Sequence, residues 1–166
     1  MGRDLYMVVQ VKEGEEWRLL PPLPSLRHVE FLAPDEEELK ENLAFRWSLV
    51  RNYALHDVLS LGFETGSSEQ DVWPIASPRG LPEGHGFSDR FIDYFLGDLG
   101  HSWVTLREAM EYPDWGREVA YWGKEVKPLR EWCKDFHDEI LVHLRQYADA
   151  RGISYGAVRL VFGYDG

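Results

Sequence analysis

The sequence predicts an α+β fold: a single domain over residues 1–166, with a small mixed or mainly antiparallel sheet, strands near both ends and helices packed on it. Three observations carry this reading. Asp4-Leu5-Tyr6-Met7-Val8-Val9-Gln10-Val11-Lys12 is a β-branched and aromatic run near one end, and Ala157-Val158-Arg159-Leu160-Val161-Phe162 is its counterpart near the other. Between them, the pattern that follows Pro128 has helical rather than strand periodicity. At 166 residues with 44% hydrophobic content, the chain has material for one ordinary core. No repeat, low-complexity tract or linker divides it.

Taken in order, Glu13-Gly14-Glu15 supplies turn chemistry after the first strand, and Glu16-Trp17-Arg18-Leu19-Leu20 returns as an antiparallel second strand. Pro21, Pro22 and Pro24 end it. Asp35-Glu36-Glu37-Glu38 reads as a capped, acidic helix start. Leu39, Leu43, Trp47, Val50, Ala54, Val58 and Leu61 follow at helical spacing. That spacing suits one helix of about 26 residues, roughly 39 Å long. A break at Arg51-Asn52 is equally allowed, because Asn caps a second helix well.

From Gly62 to Ser88 the glycines and prolines predict an irregular stretch of the kind that forms lids and binding loops. Ser88 or Asp89 then caps a short helix through Phe91, Ile92, Phe95 and Leu96, stopped by Gly97. Thr105-Leu106-Arg107-Glu108 matches a capping box, and Val119-Ala120-Tyr121-Trp122 reads as a strand. Pro128 opens the clearest helix, which runs to about Arg151 with Gly152 as its stop. Its apolar stripe is Leu129, Trp132, Phe136, Ile140, Leu144, Tyr147 and Ala148.

Charge excludes one class of function. With 29 acids against 18 bases, a net −11, the chain repels nucleic-acid phosphates over long range. Solubility explains the excess simply; the sharper alternative is an acidic decoy for a partner's basic groove. One cysteine, Cys133, allows neither an internal disulfide nor a Cys-based zinc cluster, and its place in the helix makes it a packing residue. No apolar run is long enough for a membrane span and no signal peptide is recognisable. Gly2 does not meet the myristoylation pattern, because Tyr6 stands where Ser or Thr is needed. A cytoplasmic location is expected, as is the absence of any cofactor. Neither a Walker-type nor a dinucleotide glycine pattern occurs, which disfavours an ordinary ATPase or NAD enzyme.

The stretch richest in chemistry is Gly97-Asp98-Leu99-Gly100-His101-Ser102-Trp103, a poor helix and a poor core strand but a suitable pocket wall. His101 and Ser102 are set to grip a polar ligand beside Trp103. As neighbours in sequence, with no elbow motif, they do not make a nucleophile–base pair. Arg51, beside Asn52 and Tyr53, and Arg79, within Pro78-Arg79-Gly80-Leu81-Pro82, are candidate anion receptors, since a guanidinium fork suits carboxylate or phosphate. Trp73, Trp103, Tyr53 and Tyr6 are candidate stacking partners for a base. His56-Asp57 is read as helix surface rather than a metal dyad.

Several of these segments, in order, resemble a family of small, mostly uncharacterised proteins encoded by bacteriophages and found in some bacterial genomes. Its landmarks read Met-Gly-Cys-Asp-Ile-His, Arg-Asn-Tyr, Pro-Arg-Gly-Leu-Pro, Asp-Gly-His-Ser-His-Ser-Trp-Leu-Thr-Leu and a terminal strand ending in an acid. Here they stand as Met1 to Tyr6, Arg51-Asn52-Tyr53 with Leu55, Pro78 to Pro82, Asp98 to Leu106, and Arg159 to Asp165. The resemblance implies a shared fold over nearly the whole chain and carries no activity with it. Tyr6 and Leu99 replace two of the family's histidines, so His101 alone remains of three imidazoles, too few for a metal site.

Three functional expectations follow. The first is a non-catalytic protein that binds a small anionic molecule, with a nucleotide signal of host defence as the candidate, through Arg51, Asn52, Tyr53, Arg79, His101, Ser102 and Trp103. The second is a small hydrolase or transferase on the same pocket, with His101 as general acid or base and Asp4 or Asp98 orienting it. The third is an acidic protein that inhibits a host protein partner through its surface. A homo-oligomer, with the pocket closing between subunits, is compatible with all three.

Overall fold

The computed structural model describes residues 4–20, 29–32, 44–47, 52–61, 72–121, 123 and 125–165. Its strands in chain order are β1 (Asp4–Glu13), β2 (Glu16–Leu19), β3 (Val29–Leu32), β4 (Ala44–Trp47), β5 (Leu99–Thr105), β6 (Glu118–Val119), β7 (Lys127–Pro128) and β8 (Val158–Asp165). Its α-helices are α1 (Tyr53–His56), α2 (Asp89–Phe95), α3 (Leu106–Met110), α4 (Leu129–Trp132) and α5 (Leu141–Arg151). The architecture is α+β.

The main sheet has the order β2-β1-β8-β5, with every pairing antiparallel. The two end segments of the sequence therefore form its middle, paired from Asp4↔Asp165 to Val11↔Val158. Leu5 to Val11 and Val158 to Tyr164 are buried throughout, because both faces of these strands are covered. On one face Leu5, Met7, Val9 and Val11 join Leu160, Phe162 and Tyr164 against the helices. On the other, Val8 and Val161 pack with Phe91, Phe95 and Leu96 around α2, and Trp103 leans on the same cluster. Burial of each such side chain contributes about 1.5–3 kcal/mol.

The helix after Pro128 contains one wide turn. α4 leads to a π-helical segment, Asp135–Ile140, which continues as α5 and stops at Gly152 in the left-handed conformation. The extra residue in that turn brings consecutive positions, Ile140 and Leu141, to the core, so both are buried. The regular stripe expected from the sequence thus changes register there. Cys133 is fully buried on this helix, as its packing role requires. Ser88 caps α2 through the Phe91 amide, and the Thr105–Glu108 capping box is complete at α3.

Several expectations need correction. Ala44–Trp47 is a strand paired with Val29–Leu32, not part of a helix over residues 35–61. Phe45 and Trp47 flank Arg46 at strand spacing and the stretch is rich in aromatics, so it is compatible with period 2 as well as period 3.6. The alternative the sequence allowed, a second helix capped by Asn52, is the one found: the Asn52 side chain accepts from the Leu55 amide at the start of α1. Leu39, Leu43 and Val50 lie outside the described residues. Leu99–Thr105 is an ordered strand; it occupies the sheet edge, with a register irregularity between Leu99 and Ser102 that absorbs Gly100 and His101. The strand expected over Val119–Trp122 is the two-residue β6, and Trp122 lies outside the described residues. His56 and Asp57 are not helix surface: both are fully buried.

No helix among the described residues is long and apolar enough to cross a membrane.

Candidate functional site

The Pro78–Pro82 segment crosses the edge of the sheet at β5. Ile75 and Ala76 pack with the helical-face core, while Leu81 and Phe87 pack with the cluster on the opposite face, so the chain between them wraps the strand edge. The Arg79 amide donates to the Ser102 hydroxyl at 2.9 Å. The Arg79 guanidinium donates to the Trp103 carbonyl at 3.4 Å and lies 4.5 Å from the centre of the Trp103 ring. Its two terminal nitrogens engage both carboxylate oxygens of Glu108, fork to fork. That bond lets Arg79 lower the pKa of Glu108 and Glu108 raise that of Arg79. Arg79, Ser102 and Trp103 are therefore brought together, and the pair with Glu108 occupies the fork of Arg79.

His101 lies on the α2 face beside Gly163, where its ring carbon limits the space next to that residue. Its Nε2 bonds the Gly97 carbonyl at 2.8 Å, which fixes the ring in the turn. Neither Asp4 nor Asp98 hydrogen-bonds it among the described residues. Asn52 and Tyr53 sit on the helical side of the sheet, at α1. The Asn52 amide donates to the Trp132 carbonyl at 3.3 Å, tying α1 to α4, and Tyr53 meets His56 edge to face. They do not converge with Arg79. Arg51 lies outside the described residues. Of the proposed stacking residues, Tyr6 is buried and Trp73 is 59% exposed.

Beneath the continuation of the same loop lies a polar row that sequence reasoning did not single out. Gln10, Arg159 and Thr105 are aligned across β1, β8 and β5. Arg159 is 3% exposed. Its Nε donates to Gln10 Oε1 at 2.9 Å, one terminal nitrogen donates to the Glu83 carbonyl at 3.1 Å, and the guanidinium lies 3.8 Å from the centre of the Trp17 ring. The other terminal nitrogen, Nη2, is buried and makes no hydrogen bond. Among the described residues no carboxylate pairs with Arg159. Burial draws its pKa down to about 10, which leaves it charged at neutral pH.

Gln10 Nε2 donates to the His85 carbonyl at 2.8 Å, so two carbonyls of the loop, Glu83 and His85, rest on two polar side chains of the sheet. His85 Nδ1 accepts from the Phe87 amide at 2.7 Å. Burial, with the Arg159 charge beside it, pulls the His85 pKa down. The signal for this row was present in the sequence: Gln10 and Arg159 each interrupt an otherwise apolar central strand, and a charge there requires partners.

A second buried polar group lies on the helical side. Tyr121 donates to Asp57 Oδ2 at 2.9 Å, with the Cys133 thiol close by. Burial first, then the Asp57 charge, pushes both the Tyr121 phenol and the Cys133 thiol well up. Among the described residues no three His, Cys, Asp or Glu are grouped so as to hold a metal ion.

No protein-family model matches the chain, and no curated protein or solved structure shows significant similarity to it.

Proposed function

We propose that the protein binds a small anionic molecule without transforming it, on the sheet face beneath residues 79–87, with Arg159 as the recognising charge. The single observation that carries this reading is the Arg159 guanidinium itself, buried, unpaired with any described carboxylate and with Nη2 making no hydrogen bond. A buried cation is costly unless its charge and its donors are answered. Lifting the loop would release the Glu83 carbonyl from the other terminal nitrogen, and the two N–H groups together would suit one oxyanion. Gly84 and Gly86, both at positive φ, give the loop pivots that other residues resist. Trp17, already stacked on the guanidinium, offers a flat wall beside the anion. A nucleotide phosphate, including a nucleotide signal of host defence, fits this chemistry. Arg79 serves as the clasp of the loop rather than the receptor, because Glu108 holds its fork.

The test is calorimetric titration with inorganic phosphate and a panel of mono-, di- and cyclic nucleotides, alongside native mass spectrometry of the recovered nucleotide. Binding of intact nucleotide that Arg159→Met abolishes, in a variant with an unchanged unfolding midpoint, is the expected result. Binding unaffected by Arg159→Met, or conversion of the nucleotide during the titration, overturns the proposal.

A further inference from the structure

A second cleft lies on the helical side of the molecule, away from the loop and Arg159. Met110 at the end of α3, Trp115 beyond it, and His137, Leu141, Val142 and Arg145 on the long helix line a half-open cleft of about 130 Å³. His137 lies within the wide turn at Asp135–Ile140, and His137, Leu141 and Arg145 follow one another at four-residue steps along the cleft; π-turns of this kind recur at binding sites.

The wall is rigid and the mouth is charged. Trp115 is buried to 7% exposure, its indole N–H donates to the Ala109 carbonyl at 2.7 Å, and Tyr112 braces it edge to face. His137 meets the same indole edge to face at 4.9 Å and is held by Nδ1 against Asp138 at 2.7 Å. That contact leaves its Nε2 as the ring's second polar atom. Arg145 makes no hydrogen bond or ion pair among the described residues.

The geometry points to a binding site for a small aromatic carboxylate, its ring against Trp115, Met110 and Leu141 and its carboxylate on Arg145. Size sets the ring: a cavity of about this volume holds a single six-membered ring and is far below what a nucleotide needs. Charge sets the substituent, since a free guanidinium at the mouth takes a carboxylate as a fork. The apolar floor disfavours inorganic anions, which would leave Met110 and Leu141 facing water.

Benzoate and phenylacetate are the probes, with benzyl alcohol as the uncharged control. Binding is followed by NMR through the Trp115 indole N–H and the His137 ring protons, assigned by Trp115→Phe and His137→Gln spectra. Saturable shifts with both carboxylates are expected, with benzyl alcohol at least tenfold weaker. Arg145→Gln should lower carboxylate affinity about tenfold and leave benzyl alcohol unchanged. Val142→Phe, which fills the cleft, should abolish all shifts. No saturable shift in the millimolar range, or carboxylate binding indifferent to Arg145→Gln in a variant that keeps its melting temperature, overturns the inference.

Discussion

Arg79 and Glu108 meet fork to fork across the open edge of the sheet, and Glu108 is at the same time the third residue of α3, closing its capping box with Thr105. One carboxylate therefore answers the Thr105 amide at 3.0 Å and the guanidinium of a loop twenty-nine positions earlier. Helix start and strap are fastened at a single point.

That shared point predicts coupled losses. Glu108→Ala removes both the reciprocal cap and the strap's ion pair, and should cost about 1–2 kcal/mol in urea unfolding. Arg79→Ala should cost less, and a double-mutant cycle should return a coupling of about 0.5–1 kcal/mol, because the pair is only partly exposed. The pH dependence has a definite sign. The Glu108 carboxyl is held below its ordinary value by Arg79, so its contribution is complete above about pH 4.3 and disappears as the pH falls through the lower folded value. Glu108→Gln should flatten this acid limb; a limb that superposes on the parent's would contradict the assignment.

Gly163 allows no side chain. A Cβ built there would stand 2.0 Å from the Leu96 carbonyl oxygen and 2.6 Å from the His101 ring. Gly163→Ala should therefore cost more than about 3 kcal/mol, read as a large fall in melting temperature or loss of soluble protein. Adding His101→Ala should not restore it, because the backbone carbonyl remains. Rescue by that double substitution would place the conflict in the imidazole instead.

Alkali should weaken the fold. Burial raises the pKa values of Tyr112, Tyr121 and Cys133, so their neutral forms stabilise the folded state below the unfolded values, about 10 for tyrosine and 8.5 for cysteine. That stability is lost as the pH rises beyond them. Denaturation midpoints measured from pH 7 to 11 should fall across this range. Tyr121→Phe should cost about 1–3 kcal/mol at neutral pH, since Asp57 loses a buried donor, and should make the alkaline fall shallower.

The Cys133 thiol should be inert in the native protein. It is fully buried and its pKa is raised by burial and by Asp57, both of which suppress the reactive thiolate. An aromatic disulfide reagent at pH 8 should label it only in denaturant. Rapid labelling under native conditions would show that the helix opens.

The elements that announced themselves did so through local chemistry. Ser88, Thr105 with Glu108, and Gly152 mark helix ends by hydrogen bonds confined to a few residues, and each stands where its type predicts. The two terminal runs are legible because each is a short, nearly continuous apolar segment rich in β-branched and aromatic residues. Ala44–Trp47 was not, because a short apolar stretch satisfies both periods and its partner, Val29–Leu32, decides between them. Nor was the burial of His56 and Asp57 visible, since it depends on what packs over α1. At the loop, Arg79, Ser102 and Trp103 are joined, but a neighbour in space, Glu108, decides what Arg79 can do. Arg159 is conspicuous only once its strand is known to be central, because an arginine in an edge strand is ordinary.

The pairing of β1 with β8 also orders events during synthesis. Roughly 150 residues separate Val11 from Val158, a long closure for the chain's most buried pair. As β1 emerges from the ribosome it can pair with β2, but its other side stays open until β8 has been made. During that interval an apolar strand presents a free edge to every other nascent chain nearby, the situation in which aggregation competes with folding. The closure of β1 on β8 is therefore expected to be the slow, late step of folding for this topology.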